Sequence, residues 1–240
     1  MQPQLLEKAT EHLKGCDRRM AQLIERVGPC MLKLRHEHTI FYSLLRSIVY
    51  QQLAGTAAAA ILARVDGLFP GALATPEQIA EASEEQLRSA GLSRNKMLAV
   101  KDLAAKTLDG TVPQGSVLDE MSDEEIVERV SQVRGIGRWT VEMLLIFRLG
   151  RTDVLPLDDF GVRKGFQRTY RLPELPTKQQ MLKKGEKWRP WRSIASWYLW
   201  RAAEQKPAVK AKSAAKKIAK VVKPRKSRPT AKKAKKRAVG

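Results

Sequence analysis

Two adjacent carboxylates, Asp158 and Asp159, stand between a Leu155-Pro156-Leu157 segment and a basic stretch that runs from Gly161 to Tyr170. An aspartate opening a helix has a plain structural use. Its side chain accepts hydrogen bonds from the free first-turn N–H groups and suits the positive end of the helix dipole. One carboxylate is enough for that work. The other is then free to face a cleft, where an ionised Asp stabilises a developing cation or orients a water. We assign Asp158 to the cap and Asp159 to chemistry, while local spacing alone also permits the reverse. Other candidate chemistries find less support. His36-Glu37-His38 has no third spaced metal ligand and reads as solvated surface, so no metal held by side chains is expected. Cys16 and Cys30 form no CxxC pair, and their number excludes a four-cysteine iron–sulfur cluster. Two free thiols in a reducing compartment are expected.

Upstream of the Asp pair lies Val133-Arg134-Gly135-Ile136-Gly137-Arg138-Trp139-Thr140. A helix beginning near Asp123 runs into it, and an apolar helix carrying Val141, Met143, Leu144, Leu145 and Phe147 leaves it. Glycines at both turn positions let backbone approach a phosphate, with N–H groups of the next helix N-terminus pointing outward. The segment at about 123–149 therefore reads as a helix-hairpin-helix, which grips a strand without reading its bases. The elements that must hold these residues are helical. Phe41, Leu44, Leu45, Ile48 and Val49 follow the spacing of a buried helix face. Thr75-Pro76-Glu77-Gln78, Ser83-Glu84-Glu85-Gln86 and Ser122-Asp123-Glu124-Glu125 are capping boxes. No stretch alternates long enough for a sheet, so the chain reads as all-α with about nine or ten helices. Four of the five tryptophans, Trp188, Trp191, Trp197 and Trp200, fall within thirteen residues. Trp188-Arg189-Pro190-Trp191 reads as a helix start with proline at an early position, which sets Trp197 and Trp200 one turn apart. Trp188 and Trp197 are read as core.

The order GIGRWT, then about twenty residues, then LPLDD with a basic helix, then WRPWRS resembles the 3-methyladenine DNA glycosylase II family of the helix-hairpin-helix glycosylase superfamily. The likeness runs from about Phe41 to Ala203. It implies a two-lobed helical fold and a monofunctional enzyme that flips out alkylated bases, 3-methyladenine and related N-alkylpurines, and hydrolyses the N-glycosidic bond. It also implies that Asp159 is catalytic and that Trp139, Trp200 and Phe160 line the pocket. Met143 stands where relatives carry a pocket tyrosine. Gln52-Leu53 matches a dipeptide whose Leu wedges into the duplex, and Gly135, Ile136, Gly137, Arg138 and Thr140 would hold DNA. No cofactor is required by the resemblance, and a structural K+ or Na+ on hairpin backbone carbonyls is implied. Lyase relatives carry a lysine where this chain has Trp139, so cleavage should stop at an abasic site. A glycosylase for another damaged base, or a DNA-binding protein without catalysis, are the alternatives.

Charge agrees with a nucleic-acid partner. The net charge is +20, and the stretch 206–240 holds fifteen of the forty-five Lys and Arg with no acid. It lacks aromatic residues, so it reads as a disordered tail that meets DNA phosphates, beside a mildly basic helical domain at 1–205. No apolar run is long enough for a membrane helix. The start Met1-Gln2-Pro3-Gln4 has neither the charged nor the apolar region of a signal peptide. Double-stranded DNA, a monomer, and a cytoplasmic, nucleoid-associated or nuclear location are expected.

Overall fold

The computed structural model describes residues 1–35 and 38–205; His36 and the expected disorder of the basic tail lie outside them. The chain opens with α1 (Pro3–Cys16) and α2 (Arg18–Val27), and a strap at 28–39 leads into α3 (Ile40–Tyr50). There follow α4 (Gly55–Asp66), α5 (Pro76–Glu81), α6 (Glu84–Ser89), α7 (Arg94–Leu108), α8 (Val117–Glu120) and α9 (Asp123–Val130). The last group is α10 (Arg138–Phe147), α11 (Phe160–Tyr170), α12 (Lys178–Gly185), a 3₁₀ turn (Glu186–Trp188) and α13 (Arg192–Glu204).

Among the described residues there are thirteen α-helices and no strand, more helices than the nine or ten expected. The excess comes from short pieces. Ser83 starts α6 as a new N-cap only two residues after α5 ends, and α8 is a single turn. All three capping boxes form, each with the Ser or Thr side chain accepting from the backbone of the third helical residue.

The helices fall into two groups. One gathers α3 to α10, with α7 packed on α3, α5 and α6. The other brings the chain start and the chain end together: α1 and α2 against α11, the 3₁₀ turn and α13. Asp17, 5% exposed, pins this second group. It caps α2 by accepting from the Arg19 and Met20 amides, and it also accepts from the Tyr170 hydroxyl (2.7 Å) and the Trp188 indole (3.4 Å). Trp188 is fully buried, as the sequence suggests.

Pro190 does not open a helix. It follows a cis Arg189–Pro190 peptide in a turn closed by the Trp191 amide on the Trp188 carbonyl (2.7 Å), and α13 begins at Arg192. The Trp-Arg-Pro-Trp-Arg-Ser motif has another task, which is to hold the segment leading to Asp159. Arg189 and Arg192 both grip Asp153. Ser193 Oγ accepts from the Val154 amide (3.0 Å) and donates to the Arg151 carbonyl (2.7 Å).

The tightest helix pair is α11 on α13. A Cβ placed on Gly165 would come within 1.8 Å of the Leu199 carbonyl oxygen, so only a hydrogen fits between the two backbones. Gly165→Ala should therefore force α11 from α13 and destabilise the protein by at least about 3 kcal/mol, read as a shifted denaturant midpoint.

Candidate active site

Between the two helix groups lies a cavity of about 940 Å³. Its walls come from the strap after α2, from α3, from the face Trp139, Met143 and Phe147 of α10, and from Trp197 and Trp200 of α13, with Asp159 reaching into it. Residues 139, 143 and 147 are four apart, so one stripe of α10 supplies an indole, a thioether and a phenyl ring.

Asp159, 9% exposed, is the organising group. It is itself the N-cap of α11, its Oδ1 accepting from the Val162 amide at 2.6 Å. The same Oδ1 accepts from the Trp200 indole at 2.8 Å, and Oδ2 accepts from the Trp139 indole at 2.8 Å. The assignment of the cap to Asp158 is thus corrected. Asp159 is the residue directly before the first helical position, with the extended backbone (φ −70°, ψ 119°) that lets a side chain turn back onto the first amides. Asp158, one residue earlier, turns to the surface and pairs with Lys178 at 2.6 Å. One aspartate therefore carries both duties. Three donors, one of them a backbone amide, leave Oδ2 with acceptor capacity facing the cavity.

Gly161 completes this arrangement for reasons of space. A Cβ there would lie 2.7 Å from Trp200 Cδ1 and 3.1 Å from Asp159 Oδ1, so a side chain would push the indole off the carboxylate. The residue types Asp-Phe-Gly were visible in the sequence, but this constraint arises only where α13 crosses α11. Phe147 was likewise not singled out as a site residue. Its ring stacks on Trp200 (centroids 5.5 Å apart, 28° between planes), and the signal for it was its four-residue spacing from Met143. Trp197, 8% exposed, is core on one side and cavity wall on the other.

Phe160 is not part of this wall. It is 67% exposed and absent from the cavity lining, because it lies one position beyond the inward-facing Asp159 and a helix turns about 100° per residue. The cavity has a basic side, with Lys33, Arg35, Arg46, Arg148 and Arg201 in its lining. Three of those guanidinium groups lie over rings: Arg35 on Phe147, Arg46 on Tyr50 and Arg201 on Trp197.

The helix-hairpin-helix forms at the expected place, with α9 running into the turn and α10 leaving it. Gly135 adopts φ +77°, a conformation that side chains disfavour. Among the described residues, the N–H groups of Gly135, Gly137, Arg138 and Trp139 make no turn, loop or cap hydrogen bond. Gly135, Gly137 and Arg138 are exposed, and Arg138 pairs with Glu124. Ile136 (4% exposed) and Thr140 (8%) turn their side chains into the core, so only their backbone is near the surface. The loop after α3 holds Gln52 in the left-handed region (φ +58°) and leaves Leu53 40% exposed. The Gln51 amide joins that loop to the hairpin, donating to the Gly135 carbonyl at 2.9 Å.

On sequence, the match to known proteins is to the model of the HhH-GPD superfamily base excision DNA repair protein, over residues 45–190. The chain belongs to the HhH-GPD superfamily. Within it, DNA-3-methyladenine glycosylase 1 of Schizosaccharomyces pombe is 40% identical over 205 residues, which cover 83% of this chain and 88% of the relative. Among solved HhH-GPD structures, the 3-methyladenine DNA glycosylase of that yeast, in complex with abasic DNA, aligns with a TM-score of 0.71 at 39% identity. That alignment covers 83% of this chain and all of the other. A DNA-3-methyladenine glycosidase from Bacillus halodurans aligns with a TM-score of 0.76 at 35% identity, over 82% of this chain and 89% of its own.

Next to Met143 on α10 but outside the cavity lining, Glu142 is buried (7% exposed). Burial pushes its carboxyl up to about 7; Arg138 opposes this, while Asp158 and Asp159 add to it. Being raised in the folded state, this group lowers stability as pH climbs from the unfolded carboxylate value through about 7. Glu142→Gln should match the wild type near pH 4 and exceed it by up to about 3 kcal/mol at pH 8, in denaturation curves taken at both values.

Proposed function

We propose that this chain is a monofunctional DNA glycosylase that flips out alkylated bases, 3-methyladenine and related N-alkylpurines, and hydrolyses their N-glycosidic bond. The reading rests on family membership together with one observation: a buried carboxylate held by two indole N–H groups and a helix N-terminus at the end of an aromatic cavity. The duplex is gripped by the hairpin amides and by the basic tail at 206–240, while Leu53 enters the stack and the damaged nucleotide rotates into the cavity. Trp139, Met143, Phe147 and Trp200 receive the ring, and an N-alkylated purine, being cationic, is drawn to electron-rich faces. The basic lining meets the phosphates on either side of the rotated nucleotide.

The bond from C1′ to the base nitrogen breaks with its electron pair going to the base, which neutralises the base's positive charge. The sugar is left as an oxocarbenium ion facing Asp159, whose carboxylate stabilises it much as in glycoside hydrolysis. Water then adds to C1′ and releases a proton to solvent. No amine stands at position 139 to trap the sugar, so the strand remains uncut and the product is an abasic site, the substrate of later base excision repair. The enzyme acts as a monomer, in the cytoplasm at the nucleoid or in a nucleus; among the described residues no helix is long and apolar enough to cross a membrane.

Asp159→Asn is a fair test, because the Asn oxygen can still cap α11 and accept from Trp200, while its amide nitrogen gives up only the bond from the Trp139 indole. Release of free 3-methyladenine from alkylated duplex should fall at least about a hundredfold with DNA affinity retained. Equal release by the two proteins would remove Asp159 from the chemistry. Alkali-labile but intact strands are expected for the wild type. A K+ or Na+ ion on backbone carbonyls of the hairpin is part of this proposal, and it is supported by Ser131 Oγ at the end of α9, which is buried with no hydrogen-bond partner among the described residues. Its carbonyl ligands would steady the turn and leave its amides directed at phosphate. Binding to undamaged duplex should then weaken severalfold when K+ is replaced by choline at constant ionic strength; equal affinity in both salts counts against the ion.

A further inference from the structure

If the duplex is gripped by a wedge and a clamp together, their spacing must match it, and both are tied to one helix. α7 carries three contacts at three-residue intervals. First, Lys96 turns its ammonium inward and donates to the carbonyls of Val49 (2.6 Å) and Gln51 (2.8 Å), the free acceptors at the end of α3. Next, the Ala99 Cβ lies 3.7 Å from the position a Cβ on Gly135 would take, so α7 packs directly under the hairpin glycine. Last, Asp102 Oδ2 accepts from the Arg134 amide at 2.7 Å, with Lys106 on its other oxygen at 2.6 Å. The Gln51 side chain closes the circuit across the surface to the Gly135 carbonyl. Met97, Val100, Leu103 and Ala104 root α7 in the core.

This geometry bears on Gln52, which holds a left-handed backbone despite its side chain. Such a residue stays put only when its neighbours are fixed, and Lys96 fixes the carbonyl immediately before it. A lysine close to a DNA-facing loop would ordinarily serve a phosphate. Here the ammonium is turned inward, and its reach ends on main-chain oxygens.

We propose that Lys96 and Asp102 are positioning residues for nucleotide flipping: through α7 they set Leu53 and the Gly135-Ile136-Gly137 turn at one fixed spacing against the duplex. The inference rests on the glycosylase reading for its link to base release, whereas the spacing itself can be tested without catalysis.

The experiment uses full-length protein and a duplex with 2-aminopurine beside a tetrahydrofuran abasic analogue, where wedge insertion raises fluorescence. It is paired with kinetics on 3-methyladenine in a normal pair and in a mispair, where unstacking is easier. Lys96→Met should lose most of the fluorescence change and roughly tenfold or more in kcat/KM on the paired lesion, recovering on the mispaired one. Lys96→Arg, which keeps the donors, should restore most of both. Asp102→Asn and Gln51→Ala should fall in the same direction, and Gln51→Ala cuts only the surface link, which serves if Lys96→Met does not fold. The slope of log affinity against log salt should not change, whereas a lost phosphate contact would reduce it by about one. An unaltered fluorescence change, equal losses on paired and mispaired lesions, a reduced salt slope, or no signal from the wild type would each overturn the proposal. A wild-type signal without base release would sink the glycosylase reading and leave the brace standing.

Discussion

The carboxylate of Asp159 is where the two helix groups agree with each other. It takes one hydrogen bond from the start of its own helix, one from the indole on α10 and one from the indole on α13. Each donor belongs to a different element. The first turn of α11, the hairpin helix and the last described helix therefore cannot shift independently without leaving a buried anion short of partners, which is costly. Much of the surrounding construction serves this point. Arg189 and Arg192 hold Asp153, Ser193 holds Val154, and Gly165 lets α13 come close enough for Trp200 to reach across.

That constraint also shapes chemistry. Among the described residues this carboxylate is held by neutral donors and takes part in no ion pair, and it lies at the end of a cavity with aromatic walls. Attraction for a cation is then directed at one place, while the aromatic faces tolerate variation in the ring's substituents. Three of the arginines in the lining lie on rings, and their charge is spread around the cavity where phosphates would pass.

Wedge and clamp follow a similar logic at the surface. The features proposed to face DNA are small: four backbone amides, one exposed leucine and an arginine. Their placement depends on α7, a helix with no residue directed at DNA in the sequence reading. Lys96 and Asp102, charged groups that would be worth little in isolated surface ion pairs, are here hydrogen-bonded to backbone carbonyls and an amide, where they fix geometry rather than add stability.

The sequence by itself determined the helical class, the capping boxes, the hairpin and the order of the motifs. Each of these depends on residues close in the chain, through helix periodicity, side chains capping adjacent amides, and glycines in a tight turn. It also carried the pairing of Trp139, Trp200 and Asp159, though only through resemblance to a family, since nothing local connects residues twenty and forty-one positions apart. Tertiary structure alone decided the rest. Which aspartate caps α11 depended on one step of backbone geometry that residue types cannot resolve. Phe160 fell outside the cavity wall because the inward direction belongs to its neighbour. Gly161, Gly165, Lys96 and Gln51 gained their meaning from what lies across from them, and contacts between distant segments leave no periodic mark on the chain that forms them.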